Sequence, residues 1–495
     1  MAKSSIRPEL FDRLLIVVFG VLVPFALGSS TRIFNDGDVS WHIAAGQWMI
    51  EHGAVPQADV FSFTKAGEKW VAFEWLSDVV LALAFQLNGY AGVAVTVSLA
   101  MIALNLLTIL AIRRWASPVA QLASLFALNA ALIPFMLARP HVFAWPLLAG
   151  WIIILLRARD RGVAPPLTAA TLMILWANLH GSWAIGLVIA GVFALEAMIE
   201  ARWQRKALLG WLAFGVASAL AAMLTPNGIA GFLHPLHVAQ LETLPLILEW
   251  MPSDPNRTPL FYGVLVVTLA AMLWRGVRLE PVRAMLLAAL VGLALLQMRH
   301  QAVLAIVATL LLARPFAEAG GAVAERAPLL DGDRRKTRVA AIGLGLTIAV
   351  LALVRALVPL TPAQNGANPR DALAAVPPAL RGRPVFNGYT IGGPLILAGI
   401  RPFIDGRQDL YGDRFLTDYK RILDGDKAAF DVAAKRWAIE WTILPADDVG
   451  LLVELDRSAG WRRLYADKAA VIHVRSRNQR TPPSDGQVPS LAAPN

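Results

Sequence analysis

The sequence contains no cysteine. Disulfide frameworks, thiolate zinc sites, iron–sulfur clusters and cysteine nucleophiles are thereby excluded. Charge is scarce as well. Asp, Glu, Lys and Arg make up 16% of the 495 residues, where a soluble domain carries about 25%. Apolar residues are abundant at 57%, and runs of membrane-spanning length recur from residue 13 to residue 359. The composition is that of a polytopic α-helical membrane protein. The net charge of +10 requires no nucleic-acid partner, because most of the excess sits in short loops, where it sets topology.

The apolar pattern predicts eleven helices at about 13–31, 89–112, 118–138, 141–157, 166–179, 183–200, 207–224, 259–274, 282–298, 301–316 and 338–359. Basic residues crowd the N-terminus and every second loop, with Arg113, Arg114, Arg157, Arg159, Arg161, Arg202, Arg205 and Lys206 among them. The alternate loops hold only Arg32, Lys65, Lys69, Arg139, Arg257 and Arg299. This asymmetry predicts a multi-pass protein with a cytoplasmic N-terminus. An odd helix count then places the C-terminal region outside, in the periplasm. The first helix is long for a signal peptide and is expected to stay as an anchor. Seven of the eight histidines, His42, His52, His141, His180, His234, His237 and His300, fall in or beside the outside loops.

The first outside loop, 32–75, opens with Asp36-Gly37-Asp38. In an extended chain these carboxylates point to one side, two residues apart. Such a pair suits a divalent cation, Mg or Mn, bound through oxygen, or supplies a catalytic base. Asp38 equally suits capping of the helix that follows. Residues 39–52 pattern as an interfacial helix with Trp41, Ala44, Ala45, Trp48 and Met49 on one face. His42 follows Asp38 by one turn, within hydrogen-bond reach. A second amphipathic stretch, 73–88, carries Glu74, Trp75 and Asp78. The tryptophans also fit an ordinary interfacial belt.

An acidic pair after the first span, an interfacial helix, a Pro-containing loop and an amphipathic entry to the second span together resemble the GT-C superfamily of membrane glycosyltransferases. The segments DGDVSWHIAAGQWMIEHGAVP, FEWLSDVVLA, ARPHVFAW, WANLHGSW and FIDGRQDLYGDRF look most like those of a group of little-characterised bacterial membrane proteins of that type. The likeness covers roughly residues 10–315. It implies a carboxylate of the first outside loop as base or metal ligand, the place of Asp36 and Asp38 here. It also implies a polyprenyl-phosphate-linked sugar as donor and a glycan, lipid or protein as acceptor.

That chemistry needs cations for the leaving phosphate. Arg139-Pro140-His141 and Arg299-His300-Gln301 lie at the outer boundary, against the positive-inside trend, and arginine matches phosphate oxygens well. Snorkelling to lipid head groups is their alternative role. His180, in Asn178–Trp183, is a further candidate for phosphate or metal. His42, Glu74, Arg139, His141, His180, Arg299 and His300 are therefore expected to bind substrate, and Glu249 of loop 225–258 to add a second acid. His234 and His237, three apart, make a weak metal signal that a helix-end role explains as well.

Residues 1–359 read as the membrane domain, with 318–337 a cytoplasmic linker whose Asp331-Gly332-Asp333 is solvated. Residues 360–375 read as a second linker and 376–475 as a small α/β domain. Strands are expected at 383–387, 401–405, 437–444 and 469–475, and helices at 391–399, 413–423, 426–435 and 448–458. Residues 476–495 read as a disordered tail. The run Asp405–Asp413 is the densest polar motif here. Its Asp405 and Arg407 suit sugar or acceptor binding, packing over the first loop, or an internally paired turn. A lipid transporter and a non-catalytic assembly factor for envelope polysaccharide are the rival functions. The absence of charge deep within any span counts against the first.

Overall fold

The computed structural model describes residues 17–246, 248–321 and 334–476. The start of the first expected helix, the Asp331–Asp333 linker and the tail from 477 lie outside the described residues.

Every apolar run folds as a helix. Among the described residues seven are long and apolar enough to cross a membrane: Trp75–Ile112, Pro118–Phe135, His141–Asp160, Trp183–Glu200, Arg205–Ala222, His300–Ala319 and Arg338–Leu357. Val18–Gly28, Leu167–Leu179, Pro259–Arg275 and Pro281–Leu296 are shorter apolar helices. Several begin with a proline in the first turn, where its missing N–H costs nothing and its fixed φ favours the helix.

Trp75–Ile112 counts 38 residues, about 57 Å at 1.5 Å per residue, against a hydrocarbon core of about 30 Å. It is not straight. Asn88 and Gly89 leave helical geometry, Gly89 at φ 53° and ψ −144°, where only glycine sits without strain. The bend separates the amphipathic entry around Trp75–Asp78 from the span that follows. Deeper in that span, Asn105 and Asn129 exchange amide hydrogen bonds at 2.8 and 3.3 Å, tying two apolar helices together where a lone amide would be costly.

One end of the helical body carries a network of opposed charges. Arg283 grips Glu196 through both Nε and Nη2, Arg159 reaches Glu196 and Glu200, and Arg114 and Arg314 share Asp160. The other end carries the first loop and the C-terminal region.

The C-terminal region holds a four-stranded sheet of order β1-β2-β4-β3. Here β1 is Val385–Asn387, β2 Trp441–Pro445, β3 Trp461–Ala466 and β4 Ala470–Arg475. β1 runs parallel to β2, and the other neighbours are antiparallel. The expected helices appear as Gly392–Leu397, Gln408–Leu423, Lys427–Arg436 and Val449–Arg457. One strand expectation is corrected and one strand was unforeseen. Residues 401–405 are loop, because the Phe403 N–H goes to the Asn387 side-chain oxygen at 2.8 Å rather than to a ladder. The strand β3 is an addition, an edge strand whose exposed Arg462 and Arg463 hide its alternation.

This sheet packs directly on the first loop. Asn368 donates to the Phe34 carbonyl at 2.5 Å and Thr64 to the Phe403 carbonyl at 2.6 Å. Helix Gly392–Leu397 sits so close to the start of helix Asp38–His52 that a Cβ on Gly393 would lie 2.1 Å from the Gly37 carbonyl oxygen. Trp41, Ala45, Trp70, Phe386, Ile404 and Tyr411 share one core.

Candidate active site

A cavity of about 430 Å³ opens where the helix ends, the first loop and the C-terminal domain meet. Four histidines far apart in sequence, His141, His180, His234 and His300, line it together with Arg139, Arg299, Glu74 and Glu249. The segment Gly406–Asp409 of the C-terminal domain supplies another part of the wall. Trp41, Trp70, Phe73, Trp145 and Trp250 make much of the rest aromatic.

Arg139 is the hub. It sits just before helix His141–Asp160, and its segment is fixed to the first loop because Ala138 N–H donates to the Ile33 carbonyl at 2.8 Å. Its guanidinium meets Asp38 Oδ2 at 2.6 Å, Asp36 Oδ2 at 3.2 Å and Glu249 Oε2 at 3.0 Å. One cation thus gathers three carboxylates, two from the loop after the first helix and one from a loop more than 200 positions later.

Asp36 and Asp38 have different surroundings. Asp36 Oδ1 accepts from the Asp38 N–H at 2.9 Å. Asp38 does not cap the helix: it is the first helical residue, Gly37 holds the cap position, and Asp36 takes the Asp38 N–H. Asp38 is buried, and a Cβ on Gly406 would lie 1.9 Å from its Oδ1. Burial pushes its carboxyl up to about 7, against the opposing pull of Arg139; the neighbouring Asp36 and Glu249 push the same way as burial.

His42 does not bond Asp38, contrary to the helical-turn expectation. Its Nδ1 lies 2.6 Å from Asp78 Oδ1, with both side chains 1% exposed. Helix Asp38–His52 turns this face toward helix Trp75–Ile112, so the partner comes from the neighbour. Burial, reinforced by Arg139, holds the His42 imidazole well below its usual range. His42 stands behind the cavity wall, and Asp78 is part of it.

Glu74 lines the cavity, and burial pushes its carboxyl up to about 8, leaving it protonated at neutral pH. It faces His180 Nε2 at 3.4 Å. The tautomer of His180 follows from its other nitrogen, which accepts from the Ser182 N–H at 3.1 Å. A neutral ring then carries its proton on Nε2, toward Glu74. Burial, then the positive charge of Arg299, keep His180 well below its normal value. His141 donates Nε2–H to the Phe135 carbonyl at 2.7 Å. His300 Nε2 lies 2.9 Å from the Gln297 side-chain oxygen.

Arg299 lies across Glu249 from Arg139. Its backbone N–H donates to the Glu249 carbonyl at 3.0 Å, which joins the two segments. Its guanidinium stacks on Trp250 at 4.1 Å and stands 3.8 Å from Glu249 Oε1. Burial raises the affinity of Glu249 for a proton, but Arg139 and Arg299 outweigh it and hold the carboxyl below its ordinary value.

Asp405 and Arg407 form an internally paired turn and also lock onto the first loop. Asp405 takes Arg407 Nε at 2.8 Å and Nη2 at 2.6 Å, and the Tyr411 hydroxyl at 2.8 Å. Arg407 Nη1 reaches Asp59 at 2.7 Å. Phe61 and Trp70 stack on the same guanidinium at 5.2 and 4.7 Å. Asp409, one residue past Gln408, was not singled out in the sequence, yet it lines the cavity. Its signal was only its place in the polar run. His234 lines the cavity and is buried, whereas His237 is exposed, so the two do not share one site.

The Asp36–Asp38 pair was also weighed as a cation site. Among the described residues no group of three or more His, Asp or Glu side chains is placed to hold a metal ion. In this structure the Arg139 guanidinium stands between the two carboxylates.

No family model and no curated protein matches the chain. Solved structures do. The oligosaccharyltransferase AglB from Archaeoglobus fulgidus, solved with an inhibitory peptide and a dolichol-phosphate, aligns over 95% of this chain and 75% of its own, with 12% identity and a TM-score of 0.51. ArnT from Cupriavidus metallidurans, bound to undecaprenyl phosphate, aligns over 94% of this chain and 99% of its own, with 13% identity and a TM-score of 0.50. At such identities the likeness is one of fold: this chain shares the overall fold of those two membrane proteins.

Proposed function

We propose that this protein is a multi-pass bacterial inner-membrane glycosyltransferase. It takes a sugar from a polyprenyl-phosphate carrier and passes it to a glycan, lipid or protein acceptor at the periplasmic face. The observation that carries this reading is the convergence of Arg139 and Arg299 on one aromatic-walled cavity, with carboxylates on both sides of Arg139. The two neighbours solved with a polyprenyl-type phosphate share the fold.

The reaction breaks the bond between the sugar's anomeric carbon and a phosphate oxygen, and that oxygen keeps the electron pair. Negative charge therefore grows on the phosphate as the bond lengthens. Arg299, with no carboxylate nearer than 3.8 Å among its ion pairs, is set to meet it, and Arg139 stands beside it. Cations aimed at charge that develops in the transition state contribute more to rate than to binding. The acceptor hydroxyl attacks the anomeric carbon and gives its proton to a carboxylate. Asp38 is the base assigned here, because a group titrating near 7 both accepts and releases a proton at neutral pH. Asp38 does not itself line the cavity but stands behind Arg139, so its role as base requires Arg139 to turn toward the phosphate and open the way to it. Asp36, tied to the helix end, positions both. No step is routed through a metal ion.

The test compares surface glycans of cells lacking the gene, complemented with wild type, Asp36→Asn or Asp38→Asn at matched membrane levels. A sugar lost in the knockout, restored by wild type and not by Asp38→Asn, supports the assignment. Full restoration by both variants makes the carboxylates structural and overturns the mechanism.

A further inference from the structure

The wall of the cavity away from Arg139 contains an incomplete polar contact. His234, on helix Gly228–Ala239, is 5% exposed, and its Nε2 has no hydrogen-bond partner. A buried ring nitrogen left unpaired is costly and calls for an explanation. Phe73 packs against the ring at 4.5 Å between centroids, which fixes its direction. The group facing Nε2 is Asp409 Oδ2 at 3.6 Å, too far for a hydrogen bond of its own. Both residues line the cavity.

We infer that His234 and Asp409 form a hydroxyl-binding subsite for a sugar ring in the cavity. A hydroxyl is the group that satisfies both at once: it accepts from the imidazole N–H and donates to the carboxylate. A phosphate oxygen meets the N–H but is repelled by Asp409. An ammonium meets Asp409 but gives the N–H nothing. The aromatic lining, with Phe73 directly behind His234, supplies the apolar face that a pyranose ring needs. Asp409 is also placed independently of the ligand. It stands two residues from Arg407, whose guanidinium is fixed between Asp405 and Asp59. The C-terminal domain thereby contributes a recognition group to a cavity whose phosphate-binding arginines belong to the helical body.

This subsite rests on the glycosyltransferase reading, and the hydroxyl it takes belongs to the donor sugar or to the acceptor. The test uses full-length protein in nanodiscs. The probes are undecaprenyl phosphate and its glucosyl, galactosyl and mannosyl forms, with wild type, His234→Ala, His234→Gln, Asp409→Asn and Arg299→Ala, each checked for an unchanged melting temperature. A second arm measures glycan transfer in complemented cells. If the subsite holds the donor sugar, the His234 and Asp409 variants bind a glycosylated carrier about tenfold or more weaker, while binding of the bare carrier is unchanged. If it holds the acceptor, carrier binding is unchanged throughout and cellular transfer falls by a similar factor. Variants equal to wild type in both arms overturn the subsite and leave water as the bridge. A wild type that binds no carrier, or an Arg299→Ala protein that binds them all as well as wild type, removes the parent reading instead.

Discussion

Arg407 and Asp59 form an ion pair with side chains 1% and 0% exposed, 2.7 Å apart and 348 positions apart in sequence. Removing one partner of such a pair leaves a buried charge uncompensated, at a cost of about 3–5 kcal/mol. We expect Arg407→Ala to separate the C-terminal domain from the first loop, with faster proteolysis between residues 360 and 410. Arg407→Lys will not rescue it, because an ammonium cannot reproduce the fork held by Asp405 and Asp59. A lysine variant as protease-resistant as wild type would show that charge alone suffices.

Gly393→Ala tests the same junction from the backbone side. The added methyl would fall 2.1 Å from the Gly37 carbonyl oxygen, and helix Asp38–His52 cannot give way without moving Asp38. We expect activity to fall by about tenfold or more while the apolar helices stay inserted. Normal activity in a membrane assay would mean that the two helices separate freely.

Arg299→Ala removes the cation least committed to carboxylates. Loss of a charged hydrogen bond costs about 1.5–3 kcal/mol, or roughly 10–150-fold in carrier affinity. Arg299→Lys should recover only part of this, because it loses the stacked contact with Trp250. The check is a binding curve for undecaprenyl phosphate at two salt concentrations.

The acceptor's proton sets a pH signature. Asp38 must be ionised to act as base, and its carboxyl is pushed up to about 7. Turning Arg139 away removes a charge that lowers this value, so turnover should fall about tenfold per pH unit on the acid side of a midpoint at or above 7, and this limb should be absent from the residual activity of Asp38→Asn.

Glu74 gives a stability signature of defined sign. Its carboxyl is raised from 4.5 to about 8 on folding, so between these values the folded state binds more protons than the unfolded one. Stability is then greatest below about 4.5 and declines as pH rises through 8. Glu74→Gln should flatten this decline and melt higher than wild type at pH 8.5. An identical pH profile for the two proteins would place the Glu74 proton elsewhere.

The helices were legible because they rest on local apolar periodicity, and Asp36, Asp38, Arg139 and Arg299, which meet around one guanidinium and one cavity wall, stood out as rare charges beside apolar runs. Partnerships were not legible. His42 was assigned to Asp38 one turn away, but the rotation of its helix points it to Asp78, and only packing sets that rotation. Arg407 was read as a ligand-binding group with pairing as the alternative. Its partner Asp59 lies in a loop whose sequence gives no hint of a distant arginine. Asp409 and His234 became neighbours only through the docking of the sheet on the helical body. The strand β3 escaped because its exposed arginines mask the period of two.

The contact between Arg407 and Asp59 also bears on biogenesis. At about 5–20 residues per second, the ribosome makes Arg407 roughly 17–70 s after Asp59. Throughout that interval the first loop is exposed, with a carboxylate destined for burial still hydrated. A nascent chain therefore carries its arginines and acidic pair without a finished cavity until Arg407 and the sheet that follows it have been made. Quality control has the same interval in which to inspect it: a chaperone or protease that recognises the open first loop can distinguish unfinished molecules from finished ones by whether that surface is still accessible.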